Sequence, residues 1–190
     1  MKIGLYFGSF NPIHVGHLIT ANTIAENSEL DQVWFVVSPH NPHKQKTSLL
    51  HEFDRYDMVR LAIADNEKLS VSDIEFSLPK PSYTIDTLTY IQEKYPDYQF
   101  QILIGEDNLT HFHKWKNHEK ILEYYGVLVY PREGTPKTDF HNHPKVKFIE
   151  APLLNISATY IRTLIKEEKS IRYLVPQEVE VMIRSKKFYL

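Results

Sequence analysis

The sequence predicts an α/β fold, a doubly wound, mainly parallel sheet with helices on both faces. Two observations carry this. Apolar runs at residues 3–7, 32–38, 98–105, 125–130 and 146–149 have the near-continuous character of strands buried on both sides. Segments with helical spacing alternate with them, the pattern of helices that cross over a parallel sheet. In such sheets ligands bind beyond the carboxyl ends of the strands, near the point where strand order reverses.

The elements follow in order. Run 3–7 ends at Gly8 and passes Asn11 and Pro12 before Val15, Leu18, Ala21 and Ala25, which keep helical spacing. Run 32–38 leads into residues 39–50, rich in proline, histidine and lysine and without periodicity. A helix with a broad apolar face is expected from about His51 to Asp65. Ile85, Leu88, Ile91 and Tyr95 mark another before run 98–105. Residues 131–144 are a second aperiodic stretch, and both stretches read as mobile loops over the crevice. Ile161, Leu164 and Ile165 mark one late helix, and Val179, Met182 and Ile183 the last. At 190 residues one domain spanning 1–190 is expected, with a small helical C-terminal part from about 157 to 190.

Composition narrows the function. The net charge of −2 provides no basic field for a nucleic-acid backbone. The absence of cysteine excludes a disulfide framework, thiol catalysis and cysteine metal sites. The N-terminal apolar run is too short for a secretory signal or a membrane span, so a cytoplasmic protein without a membrane partner is expected.

The opening motif carries the most chemistry. Gly8 and Ser9 lack bulk and allow close backbone approach. The helix start beyond them offers unpaired N–H groups and the positive dipole end. His14 and His17, three apart, lie roughly on one side of that turn. Together these describe a polyphosphate site. A polar helix start with local hydrogen bonds is the plainer alternative. A zinc pair is the third, but it lacks a further ligand at diagnostic spacing, so no metal ligand is assigned. Neither the ordinary ATPase loop nor the dinucleotide fingerprint is present. Ser157 suits a helix N-cap, and Arg162 lies about a turn and a half beyond it, where its fork matches phosphate oxygens.

Residues 8–17, Gly-Ser-Phe-Asn-Pro-Ile-His-Val-Gly-His, resemble the nucleotidylyltransferase superfamily motif that ends in His-x-Gly-His. Four later segments narrow the resemblance: Pro39-His40-Asn41-Pro42-His43-Lys44, residues 82–88, residues 104–108, and residues 156–162. In that order, over nearly the whole chain, they resemble the bacterial nicotinate-nucleotide adenylyltransferases. The resemblance implies a Rossmann-like fold of nucleotidylyltransferase type. It also implies adenylyl transfer from ATP to nicotinate mononucleotide, with Mg2+ carried on ATP.

By the same resemblance, Gly8, Ser9 and Phe10 pass under ATP while His14 and His17 hold its phosphates. Gly105 and Asp107 sit at the adenosine, and Ile156, Ser157 and Thr159 belong to the ATP-binding segment. Lys44 and Arg162 clamp the departing pyrophosphate. Ser82, Tyr83 and Thr84 open a helix whose free N–H groups suit the nicotinate carboxylate. Trp115 offers a face to the cationic pyridine ring, beside Lys116, and Arg132 holds the mononucleotide. Two departures are visible: Asn11 stands where the family commonly has aspartate, and Lys116 where an aromatic is common. The alternatives are another acceptor, such as nicotinamide mononucleotide or pantetheine phosphate, or a non-catalytic sensor of ATP or NAD. The presence of His14, His17 and Arg162 favours catalysis.

Overall fold

A computed structural model describes residues 1–39, 49–80 and 82–190. Six strands, β1 (Lys2–Gly8), β2 (Gln32–Val37), β3 (Leu69–Ser72), β4 (Gln99–Gly105), β5 (Val127–Tyr130) and β6 (Val146–Phe148), form one sheet in the order β3-β2-β1-β4-β5-β6. Every neighbouring pair is parallel. Strand order reverses between β1 and β4, so the chain leaves these neighbours towards opposite faces and opens a crevice at their carboxyl ends.

Side chains alternate between two cores, as the strand period requires. Tyr6, Phe35, Leu103 and Leu128 belong to one. That core is closed by Ile24 of α1 (Val15–Asn27), Met58 and Val59 of α2 (Glu52–Ala62), Ile161 and Leu164 of α6 (Ala158–Lys166) and Val179 and Ile183 of α7 (Gln177–Ser185). Leu5, Val36, Ile102, Ile104 and Val129 belong to the other, under Leu88 and Ile91 of α3 (Thr84–Lys94) and Ile121 of α5 (His118–Tyr124). The residues after 157 thus share a core with β1 and β2. Among the described residues no helix is long and apolar enough to cross a membrane.

The expected strands and helices are present, with differences at their ends. His51 is the N-cap of α2, which stops at Ala62. Residues 125 and 126 finish the turn out of α5 instead of starting β5. Among the strands and α-helices three escaped the sequence reading: β3, α5 and the short α4 (Glu106–Leu109). β3 is Leu-Ser-Val-Ser at the edge of the sheet, half polar and too short to show alternation. Residues 131–144, expected to be a mobile loop, contain a 3-10 turn at Asp139–Asn142 whose Phe140 packs edge-on against Phe112 at 5.4 Å.

The strand ends are tied by a residue that composition alone would place on the surface. Arg55 of α2 is fully buried. Its guanidinium donates to the carbonyls of Ser9 (2.6 Å), Ser38 (2.8 Å), Pro39 (3.1 Å) and Leu50 (2.9 Å). Those of Ser9, Ser38 and Pro39 lie where β1 and β2 have ended and no ladder partner remains, and that of Leu50 just before α2, so the arginine supplies what the sheet cannot. Arg55→Met is expected to leave them buried without donors. The loss should be at least about 3 kcal/mol in urea unfolding, with Arg55→Lys recovering only part because a point charge cannot reach the same carbonyls.

Candidate active site

Beyond β1, Phe10 adopts a left-handed backbone (φ 44°) and buries its ring. That ring lies so close over Gly8 that a Cβ there would come within 2.7 Å of it. The room left by this glycine is therefore taken by Phe10 itself. Asn11 follows as a hub. Its side-chain carbonyl accepts from the Tyr189 hydroxyl (2.9 Å) and the Leu50 N–H (3.3 Å), and its main-chain carbonyl accepts from Arg162 Nη1 (2.8 Å). A neutral amide fulfils these contacts without burying a charge, which accounts for asparagine at this position.

His14 is the N-cap residue of α1, and its ring is stacked on that of His17, centroids 3.6 Å apart. A Cβ on Gly16 would lie 3.0 Å from His14 Nδ1, so the glycine lets the ring fold back. The His14 N–H donates to His17 Nδ1 at 3.3 Å. With Nδ1 accepting, His17 carries its hydrogen on Nε2. His14 differs: its Nδ1 is buried without a hydrogen-bond partner among the described residues. Burial, and secondarily the charge of Arg132, lower the pKa of His14 to about 4. It is neutral at pH 7. The Val15 N–H, expected to be open to an anion, donates to the Leu174 carbonyl at 2.9 Å.

A cleft of about 530 Å³ opens beside these rings. His14, Gly16, His17 and Thr20 form one wall, Asp107, Tyr130, Arg132 and Glu133 a second, and residues 152–156 a third, with Tyr6 also lining it. The hydroxyls of Tyr6 and Tyr130 meet at 3.1 Å, and burial pushes the Tyr6 hydroxyl well above the usual phenol pKa. Arg132 Nε stands 3.7 Å from Asp107 Oδ1, and its guanidinium lies 5.2 Å from the centre of the Tyr130 ring. The cleft therefore combines two donors, an imidazole N–H and a guanidinium, with a carboxylate acceptor, a set suited to phosphate oxygens and sugar hydroxyls.

The remaining expected residues are distributed around this cleft. Of the segment 156–162, Ile156 lines it. Ser157 caps α6 as expected, its hydroxyl accepting from the Tyr160 N–H at 3.2 Å. Arg162 lies outside the lining, where Nη2 donates to Thr159 Oγ1 at 3.2 Å beside its bond to Asn11. Gly8, Ser9, Phe10 and Gly105 are not lining residues either. Lys44 lies outside the described residues.

Ser82, Tyr83, Thr84, Trp115 and Lys116 form a separate group at the start of α3. Lys116 Nζ bonds both oxygens of Asp86 (3.0 and 2.9 Å) and sits 4.7 Å over the Tyr83 ring. Trp115 is half-buried against Phe112, ring centres 5.2 Å apart. Arg132, expected to hold the phosphate or the carboxylate side of the mononucleotide, lines the cleft rather than this group. Behind the start of α3 is a residue the sequence reading passed over. Buried Glu75 accepts from Thr87 Oγ1 at 2.7 Å and also from Ser38 and Ser82, and burial raises its pKa. Arg55 and Glu75 share a signal: each is a charged residue among apolar neighbours, Met58 and Val59 for the first and Ile74 and Phe76 for the second.

Comparison with known proteins places this arrangement. The model of the cytidylyltransferase-like family matches residues 5–164. A relative from Cytophaga hutchinsonii, described as a probable nicotinate-nucleotide adenylyltransferase, is 64 % identical over 189 residues, covering 100 % of this chain and 98 % of its own. The chain belongs to the nicotinate-nucleotide adenylyltransferase family. A Flavobacterium psychrophilum member with the same description is 54 % identical over 191 residues, covering 100 % of this chain and 99 % of its own. The Plasmodium falciparum nicotinic acid mononucleotide adenylyltransferase complexed with NaAD shares the fold at 23 % identity. Its TM-score is 0.83, with 99 % of this chain and 97 % of that one covered.

The neutral state of His14 has a measurable cost in acid. Its folded pKa, about 4, lies below the ordinary 6.5, so the unfolded chain binds the extra proton first. Stability should fall as pH drops from about 6.5 towards 4, by up to about 1.4 kcal/mol per pH unit from this group. Denaturant unfolding of His14→Asn against wild type across that interval should show a shallower loss for the variant. Parallel curves would contradict the assignment.

Proposed function

We propose that this chain transfers the adenylyl group of ATP to nicotinate mononucleotide, releasing pyrophosphate and forming nicotinate adenine dinucleotide for NAD biosynthesis in the cytoplasm. The observation that carries the reading is the cleft at the β1–β4 reversal, where the Nε2-protonated His17, Arg132 and Asp107 converge. Full-length relatedness to the family supports it.

The chemistry asks little of the protein in proton transfer. The second pKa of a phosphate monoester is near ~6, so the mononucleotide arrives mostly dianionic and needs no general base. One of its oxygens attacks the α-phosphorus of ATP in line, and the bond to the pyrophosphate breaks with the electron pair leaving on oxygen. Positioning and charge neutralisation then supply the rate. His17 donates from Nε2 to a phosphate oxygen. His14 serves as a neutral partner, stacking on His17 and fixing its tautomer through the main-chain N–H. Asp107 accepts from ribose hydroxyls near Gly105, with Ile156 against the nucleoside.

Ser9, Phe10 and Gly8 shape the turn under ATP. Arg162 retains donors beyond the two it uses on Asn11 and Thr159, and with Lys44 it receives the pyrophosphate. Magnesium carried with ATP neutralises part of the polyphosphate charge. Ser82, Tyr83 and Thr84 take the nicotinate end and Trp115 stacks on the pyridinium. Lys116 shapes that pocket through Asp86 and Tyr83, and Arg132 answers for the mononucleotide phosphate.

Incubation with ATP, Mg2+ and nicotinate mononucleotide should yield pyrophosphate and the dinucleotide in equal amounts. Release of pyrophosphate with pantetheine phosphate but not with nicotinate mononucleotide would overturn the reading. His17→Ala should lower kcat about 100-fold or more with thermal unfolding unchanged. Trp115→Ala should raise KM for the mononucleotide about tenfold and leave that for ATP in place, because only the pyridinium loses its stacking face.

A further inference from the structure

Glu106 lies between Gly105 and Asp107, yet it is not among the residues that line the cleft. Oε2 accepts the main-chain N–H of Arg132 at 3.2 Å, and Oε1 meets His141 Nε2 at 3.1 Å. The two side chains of this pair are only 17 and 12 % exposed, so the contact is made largely out of water, where such bonds are stronger. The hydrogen on His141 is placed by its other nitrogen. Nδ1 lies 3.0 Å from the Thr138 nitrogen and 3.1 Å from both its hydroxyl and its carbonyl; in the tautomer whose Nδ1 accepts the N–H, Nε2 carries the hydrogen and donates to the carboxylate. The imidazole is also stacked on Phe148, centroids 5.0 Å apart, at the end of β6. The 3-10 turn at Asp139–Asn142 is thus fastened to the segment after β4, and the main chain at Arg132 is held between them.

We propose that Glu106 and His141 are positioning residues for the reaction. Their clasp fixes the backbone at Arg132 so that its guanidinium stands beside Asp107 and opposite His14. The proposal rests on the adenylyl-transfer reading of the cleft. Neither residue touches substrate. Both act through Arg132, whose side chain would otherwise swing with a segment long enough to carry it out of register.

The test is a double-mutant cycle read on binding. His141→Phe keeps the stack on Phe148 and removes the Nε2 donor, whereas His141→Gln keeps a donor at similar reach. Calorimetric Kd values are measured for ATP and for nicotinate mononucleotide separately. His141→Phe should weaken the ligand that Arg132→Ala weakens, by about tenfold, with kcat lowered less than about threefold and His141→Gln closer to wild type. In the Arg132→Ala background the same substitution should have no further effect on that Kd. An equal loss in both backgrounds, or wild-type affinity in His141→Phe, overturns the clasp. If His141→Phe lowers Tm by more than about 5 °C, the cycle is run with Glu106→Gln, whose single carbonyl cannot accept from both donors. Failure of the transferase reading itself would appear as absent turnover in wild type while the binding cycle still reports on Arg132.

Discussion

The guanidinium of Arg55 is the interaction on which the site end of the molecule depends. Where β1 and β2 run out, their last carbonyls point into a dry region, and backbone acceptors there must be satisfied or the turn cannot be kept. One side chain from α2 meets those of Ser9, Ser38 and Pro39 together with the Leu50 carbonyl just before the helix. With the turn after β1 fixed, Phe10 is held over Gly8, Asn11 becomes a junction for Leu50, Arg162 and Tyr189, and α1 starts where its two imidazoles can stack. The geometry of the histidine wall is inherited from main-chain satisfaction several residues away.

The electrostatics of that wall are uneven by design of burial. His14 is kept neutral and His17 presents a hydrogen on Nε2, so among the described lining residues positive charge comes from Arg132. An imidazolium beside a guanidinium would be unfavourable in a half-dry cleft. A neutral stack avoids that repulsion and still leaves an imidazole N–H donor on the wall of the cleft.

Much of this was legible in the sequence. Long apolar runs declared β1, β2 and β4 because parallel strands are buried on both faces, and the glycine-to-histidine motif announced the crevice by its order alone. What stayed hidden depended on contacts between distant segments. β3 has only four residues and two of them are serines. The departure at Asn11 acquired a reason only once Tyr189 and Leu50 were seen to donate to it. Lys116 likewise gained a function from Asp86 and Tyr83. The histidine at 141 had no reading until Thr138 and Glu106 fixed its two nitrogens. Arg132 was placed by resemblance at the mononucleotide, and its position beside Asp107 follows from the register of β4 against β5, which no local pattern encodes.

The turn after β1 is completed by late arrivals: Arg162 reaches Asn11 across 151 positions, Tyr189 across 178, and Leu174 takes the first N–H of α1. Such contacts raise the mean loop that must close before the native arrangement is reached, and closing them comes slowly. Secondary structure around the turn can therefore form early while the turn itself stays unfinished. Ligand competence becomes a property of the completed topology, acquired in the last stage of folding and lost in the first stage of its undoing.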